Sequence, residues 1–264
     1  MAIPKTILKA HPSLDEWAVL SAYRGSIAHG MYVPSSNPDS IDDRDVMAVC
    51  IPPLDFYFGL KEFGSGGTEE IKQDEWDIVV YEVRKFIRLL ARGNPNVLMM
   101  LWLDPPDYLK VSEAGQLLLD NRHLFVGRHV YQAFIGYARS QLHKMTHFGF
   151  QGYMGTKRKK LVERFGYDCK NAAHLIRLLR MGIEFLRCGQ LLVRRPDAEE
   201  LLGIKRGEWT LEQVQTEAEK GFRKAEEAYS ASSLPHGPDM ERINKLAIEV
   251  VQMGLDGRVN IEKG

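Results

Sequence analysis

Apolar and polar positions change their rhythm near residue 110. Before it, short apolar runs end at glycine or proline; after it, apolar residues recur at helical spacing. WAVLSAYR (17 to 24) ends at Gly25, DVMAVCI (45 to 51) is stopped by Pro52 and Pro53, and DIVVYEV (77 to 83) is β-branched and aromatic in the same way. Runs of this length without alternation predict strands buried on both faces. The third passes without a breaker into VRKFIRLLARG, where Val83, Phe86, Ile87 and Leu90 lie opposite Arg84, Lys85 and Arg88. That pattern predicts an amphipathic helix ending at Gly93, before Asn94 and Pro95. PNVLMMLWL then leads to the turn DPPDY at 104 to 108. From about residue 112 helical periodicity runs to the end, with SASSLPHGPD (230 to 239) as the connector before a last helix, ERINKLAIEVVQMG. The expectation is an α+β chain: a small mixed sheet with flanking helices in residues 1–108, then a mainly helical domain in residues 109–264.

Length and composition allow this division. With 264 residues, 44% of them hydrophobic, the chain can bury a full core and divide into two modest domains. Basic and acidic residues number 35 each, so no net charge draws nucleic acid or membrane from a distance, and any basic surface must be local. Cys50, Cys169 and Cys188 are far apart and form no CxxC pair, which suggests free thiols in a reducing compartment. The N-terminus meets Lys5 and Lys9 before any long apolar stretch, and no later stretch approaches a membrane span. A cytoplasmic protein without membrane contact is expected.

The candidate chemistry sits where strands end and begin. Gly25 and Ser26 follow the first strand; a glycine lets the backbone approach a ligand, and Ser26 adds a hydroxyl donor, while Gly30 keeps the next turn slim. Alone, Gly-Ser after a strand is more often an ordinary turn. Asp43 and Asp45 change that reading, because residues two apart in an extended strand point to one face and repel unless a cation lies between them. Hard divalent cations suit such a pair, since they take oxygen ligands and bridge carboxylates to phosphates. Asp42 leaves the reading of a merely acidic turn open. A third acid, Asp77, opens the run DIVVYEV and would stand beside the pair if the two strands are neighbours; Glu82 on the same run is the alternative, although the helix start alone favours it.

In this order the residues resemble the polymerase-β-type nucleotidyltransferase superfamily, whose pattern is GS, a gap, DxD and a distant single acid. YEVRKFIRLLARGNPNVL (81 to 98) and YDCKNAAHLIRLLRMGIEFL (167 to 186) are similar to segments of the nucleotidyltransferases often encoded near RNA ligases, the RlaP type. The resemblance covers about residues 17 to 215. It implies a nucleotidyltransferase-type sheet and transfer of a nucleoside monophosphate from an NTP to a hydroxyl, an RNA end among the candidates, with release of pyrophosphate. It also implies two Mg²⁺ or Mn²⁺ ions held by Asp43, Asp45 and Asp77, with Gly25 and Ser26 at the nucleotide. Two departures accompany it: the insertion VPSSNPDSID between Ser26 and Asp43, and Met99 where relatives carry a glutamate. The second keeps alive a catalytically silent nucleotide- or nucleic-acid-binding module on the same fold.

The helical half offers further candidates. Lys170, His174 and Arg177 share one helix face opposite Leu175, Leu179, Ile183 and Leu186. Periodicity alone favours a solvated face; similarity to the family's KxxxHxxR segment implies contact with triphosphate or acceptor. The run TKRKK (156 to 160) makes a local basic patch with Phe148, Phe150 and Tyr153 nearby, which could guide RNA or DNA but reads first as a solvated face. His143 and His147 lack a third metal ligand and are read as structural. GSGGT (64 to 68) lacks a P-loop ending and precedes polar residues rather than a helix, so it is read as a turn whose movement could cover a nucleotide.

Overall fold

A computed structural model describes residues 2–34, 42–147 and 162–259. TKRKK, Phe148, Phe150, Tyr153 and most of the insertion between Ser26 and Asp43 lie outside the described residues.

The three apolar runs form the middle of a mixed sheet, as their composition requires. β1 (Ala18–Tyr23), β2 (Arg44–Cys50) and β4 (Trp76–Glu82) are joined by β3 (Thr68–Gln73) and β5 (Tyr108–Val111) in the order β3-β4-β2-β1-β5. β2 and β4 are parallel; the other pairs are antiparallel. Alternate residues of β2 serve two cores. Val46, Ala48 and Cys50 pack with Ile7, Ile78 and Val80 on one face, while Met47 and Val49 pack with Val79, Phe86 and Leu90 on the other. Both faces are thus covered, β1 and β2 by helix on one side at least, which is why these strands read as continuous apolar runs.

α4 (Val83–Ala91) buries the stripe Val83, Phe86, Ile87, Leu90 read from its periodicity. Glu82 caps it by accepting from the backbone N–H groups of Arg84 at 3.1 Å and Lys85 at 3.2 Å. This removes Glu82 as a third metal-binding acid, because its carboxylate is spent on the helix start. Short α5 (Pro95–Leu98) follows, with Asn94 as its N-cap.

The sheet runs past the boundary expected at residue 108. β5 pairs with β1, and α6 (Glu113–Asp120) lies so close to that strand that a Cβ on Gly115 would meet the Val19 carbonyl oxygen at 2.2 Å. Beyond it come α7 (Val130–His147), α8 (Cys169–Cys188), α9 (Ala198–Lys205) and α10 (Leu211–Ala231). α11 (Met240–Val259) then returns to pack on α4 and α6. One apolar core runs from Val19 in the sheet to Val250 in the last helix. None of the described helices is long and apolar enough to cross a membrane.

GSGGT does form a turn, with Gly64, Gly66 and Gly67 at positive φ, but it lies far from the acids. Glu82 N–H donates to the Gly67 carbonyl, at the opposite end of β4 from Asp77 and roughly 17 Å along the strand. That distance removes it as a cover for a nucleotide held at Asp77.

Candidate active site

β1 delivers the chain to the site through Arg24, whose extended backbone donates N–H to the Asp45 carbonyl at 2.9 Å. Gly25 follows at φ +60 and opens the short helix α2 (Gly25–Ala28). A Cβ there would sit 2.3 Å from Asp45 Oδ2. The glycine is therefore required twice: for its left-handed backbone, and because the Asp45 carboxylate fills the space of a side chain. Ser26 Oγ is buried and has no hydrogen-bond partner among the described residues.

The parallel register of β2 and β4 sets Asp45 directly beside Asp77. Both share the parity of Met47, Val49 and Val79, so both belong to the face covered by helices. Asp43 precedes β2 on the same parity and is exposed. The Arg24 guanidinium lies between the pair, Nη2 being 3.4 Å from Asp77 Oδ1 and 3.8 Å from Asp45 Oδ1. Lys72 Nζ stands 3.9 Å from Asp77 Oδ2. Burial pushes the Asp45 carboxyl up to about 6, helped by the charges of Asp77 and Asp43 and opposed by Arg24 and Lys170.

Asp42, the competing acid, lines the same cavity as Asp45 but is already committed to partners. It is buried, accepts the Val33 N–H at 3.1 Å and pairs with buried Lys205 at the end of α9. It ties the chain after the insertion to the helical half.

A cavity of about 340 Å³ lies over Gly25, Ser26 and Asp45, closed on the other side by Lys170, His174 and Arg177. α8 thus presents that face to a cavity, with Arg177 buried and Lys170 and His174 half-buried, where periodicity alone favours a solvated face. Asp168 caps its start by accepting from Asn171 N–H at 3.0 Å, which directs Lys170 and the next two turns inward. Arg177 is buried, and its one hydrogen bond among the described residues goes to Met181 Sδ at 3.2 Å. Burial, with the nearby Arg195 charge, pushes its guanidinium down to about 9.

The cavity also contains residues the sequence reading missed. His29 is buried and donates Nδ1–H to the Val193 carbonyl at 2.9 Å, and burial beside Arg177 holds its imidazole well below the usual histidine range, so it is neutral. Asn96 donates to the Tyr137 hydroxyl at 3.0 Å, and Tyr137 meets the His174 ring edge-on at 5.6 Å. Met99 lines the same wall. Met99 is already a departure from the family pattern in the sequence; Lys205, which also lines the cavity and was not among the candidates, left a sequence signal: it follows Leu201 and Ile204 on the apolar face of α9, where a lysine needs a partner.

Oxygen donors suited to divalent cations are therefore adjacent at Asp45 and Asp77, with a resident guanidinium already satisfying the need for positive charge between them. Among the described residues no three His, Cys, Asp or Glu side chains gather closely enough to enclose a metal, and Asp43 is exposed. The donors at Asp45 and Asp77 fit a divalent cation in chemistry and adjacency.

The mixed sheet with flanking helices matches the fold that the RlaP resemblance implies, and a direct comparison decides membership. The profile of the RNA repair pathway DNA polymerase beta family, RlaP, matches residues 16–249. The chain belongs to that family. The match spans both the strands that carry Asp45 and Asp77 and the helices that close the RlaP cavity. No curated protein matches the chain.

Proposed function

We propose that this RlaP protein transfers a nucleoside monophosphate from an NTP to a hydroxyl acceptor, an RNA end in keeping with the family's repair description, and releases pyrophosphate. The observation that carries the reading is an imbalance of charge in one cavity. Lys205 is matched by Asp42, but Arg177 is buried with no carboxylate partner among the described residues, and Lys170 has no ion pair there either. A buried guanidinium without an anion is costly, and phosphate oxygens would supply the anion.

In this reading Arg177, Lys170 and His174 hold the phosphates, and Ser26 Oγ donates its hydrogen to a phosphate oxygen. Asp45 and Asp77, with Asp43, would hold two Mg²⁺ or Mn²⁺ ions. When bound, such ions neutralise charge on the triphosphate and make an attacking hydroxyl more acidic. The acceptor hydroxyl gives its proton to the Asp77 carboxylate as its oxygen bonds to the α-phosphorus, the bond from that phosphorus to the bridging oxygen breaks, and pyrophosphate leaves with the electron pair. Asp45 must be ionised for its part. His29, neutral and anchored to Val193, lends shape without adding a charge.

The second reading is the silent binding module. It is favoured by Met99, which lines the cavity at a position where the sequence resemblance implies a glutamate. Incubation with each NTP and Mg²⁺ or Mn²⁺ separates the two. Pyrophosphate release that Asp45→Asn or Asp77→Asn abolishes supports the transferase; nucleotide binding without release, indifferent to divalent ions, supports the module.

A further inference from the structure

On the far side of α4 from the sheet lies a second and larger concavity, of about 650 Å³. One wall is α11, which contributes Met240, Ile243, Ala247, Ile248, Val251 and Leu255. Their spacing is that of a single helix face over more than four turns, a length of about 24 Å between the lining residues Met240 and Asp256. The other wall is Ile87 and Ala91 of α4 together with Leu54 and Phe58 around α3 (Asp55–Phe58).

The groove leaves apolar surface in water. Leu54, Phe58, Met240 and Ile248 are 55%, 84%, 58% and 51% exposed, the main cluster of large exposed hydrophobics among the described residues. Scattered single exposures need no explanation, whereas contiguous ones mark a surface that something covers. Along α4, which has no acid in VRKFIRLLA, Arg84 and Arg88 line the groove, and Lys85 and Lys61 stand around the adjoining hollow with Glu62 and Glu82. Arg84 is paired with Glu82 at 3.0 Å and Lys61 with Asp55, so Arg88 and Lys85 carry the unmatched positive charge of the rim among the described residues. Asp256 is the one acid that lines the groove, at its far end.

We propose that this groove docks an amphipathic helix of a partner protein, of about four to five turns, apolar on one face and carrying Asp or Glu along the flank that meets α4. Length sets the turns, the apolar floor sets the buried face, and the basic rim sets the sign of the flank. A nucleic acid would use the rim but leave the floor in water. The surface lies apart from the cavity that holds Asp45, so docking and chemistry are separable by mutation.

The test is fluorescence anisotropy on the full chain with two labelled 18-residue helical peptides. Both carry Leu at i, i+3, i+4 and i+7 spacing; one is flanked by Glu and the other by Lys. The Glu peptide is expected to bind saturably and about tenfold or more tighter than its Lys counterpart. Phe58→Asp or Ile248→Asp, both at exposed positions, should abolish binding without changing thermal stability. Joint Lys85→Glu and Arg88→Glu should reverse the preference to the Lys peptide, a result that no unfolding artefact would give. Equal affinity for both peptides, or no saturable binding of either, overturns the proposal. So does displacement of the Glu peptide by single-stranded RNA, which assigns the face to nucleic acid. A sedimenting dimer that Ile248→Asp dissolves also overturns it, by assigning the groove to a second copy.

Discussion

Asp45 is held in a condition that suits chemistry better than stability. Its carboxyl is pushed up to about 6 by burial, above the usual value of 3.8, so the folded state binds a proton more tightly than the unfolded chain. The contribution to stability is therefore complete below about pH 4 and is lost as pH rises through 6. With 29% of the side chain still exposed, the penalty at neutral pH is on the order of 1–2 kcal/mol. Asp45→Asn should raise the melting temperature at pH 8, have little effect at pH 4, and cut nucleotidyl transfer by about a thousandfold. Calorimetry at the two pH values alongside a transfer assay checks this; a destabilised variant at pH 8 would contradict it.

Gly25 and Arg24 make the same corner specific. Gly25→Ala puts a Cβ where Asp45 Oδ2 lies, on a backbone at φ +60, and should cost about 2–4 kcal/mol by denaturant titration together with activity. Arg24 bridges the acids at 3.4 and 3.8 Å, and its Nε is buried without a hydrogen bond among the described residues. As a resident cation it competes with any that arrives. Arg24→Gln should raise the affinity for Mn²⁺ several-fold in the absence of nucleotide, read by electron paramagnetic resonance; weaker binding would assign Arg24 a supporting role.

At the scale of elements, legibility followed burial. β1, β2 and β4 were readable because both faces are covered and their residues are apolar throughout. β3 was not, because it is an edge strand with Ile71 its one buried residue, and a polar TEEIKQ gives no period to count. β5 was hidden behind the PPD turn, which placed the expected boundary inside the sheet. The acids at 43, 45 and 77 could be nominated, but the meeting of Asp45 with Asp77 depends on β2 and β4 being parallel neighbours in register, and strand order is not written in either run. α8 shows the sharpest limit. A polar stripe opposite Leu175, Leu179 and Ile183 looks the same whether it faces solvent or a cavity, and only packing distinguishes the buried Arg177 from a surface cation.

The link between Asp42 and Lys205 belongs to this scale too, because it fastens the entry of β2 to the end of α9. Asp42→Asn should cost about 3 kcal/mol, since it leaves Lys205 buried without an anion. Adding Lys205→Met should restore most of that loss in the same denaturant titration. Additive losses would show that the two side chains act separately.

The molecule as a whole is a sheet whose acids meet a helical half across one cavity, with a common core that makes the halves a single packed unit. Opposing charges are divided between the halves: the sheet brings Asp45 to the cavity, with Asp77 beside it on β4 but outside the cavity lining, and α8 brings Lys170 and Arg177. In the proposed function a triphosphate would satisfy both, with its oxygens toward α8 and divalent ions toward β2 and β4. The groove on α4 and α11 stands apart from this and serves recognition instead.

The most direct test of the central claim follows the label of an α-³²P NTP into an RNA with a free hydroxyl end, in Mn²⁺, with wild type, Asp45→Asn and Arg177→Met side by side. The account predicts labelled RNA and equimolar pyrophosphate from the wild type alone, weakened NTP binding for Arg177→Met, and NTP binding without transfer for Asp45→Asn. NTP bound equally by all three proteins, with no label transferred to RNA, protein or small-molecule hydroxyls, would contradict it.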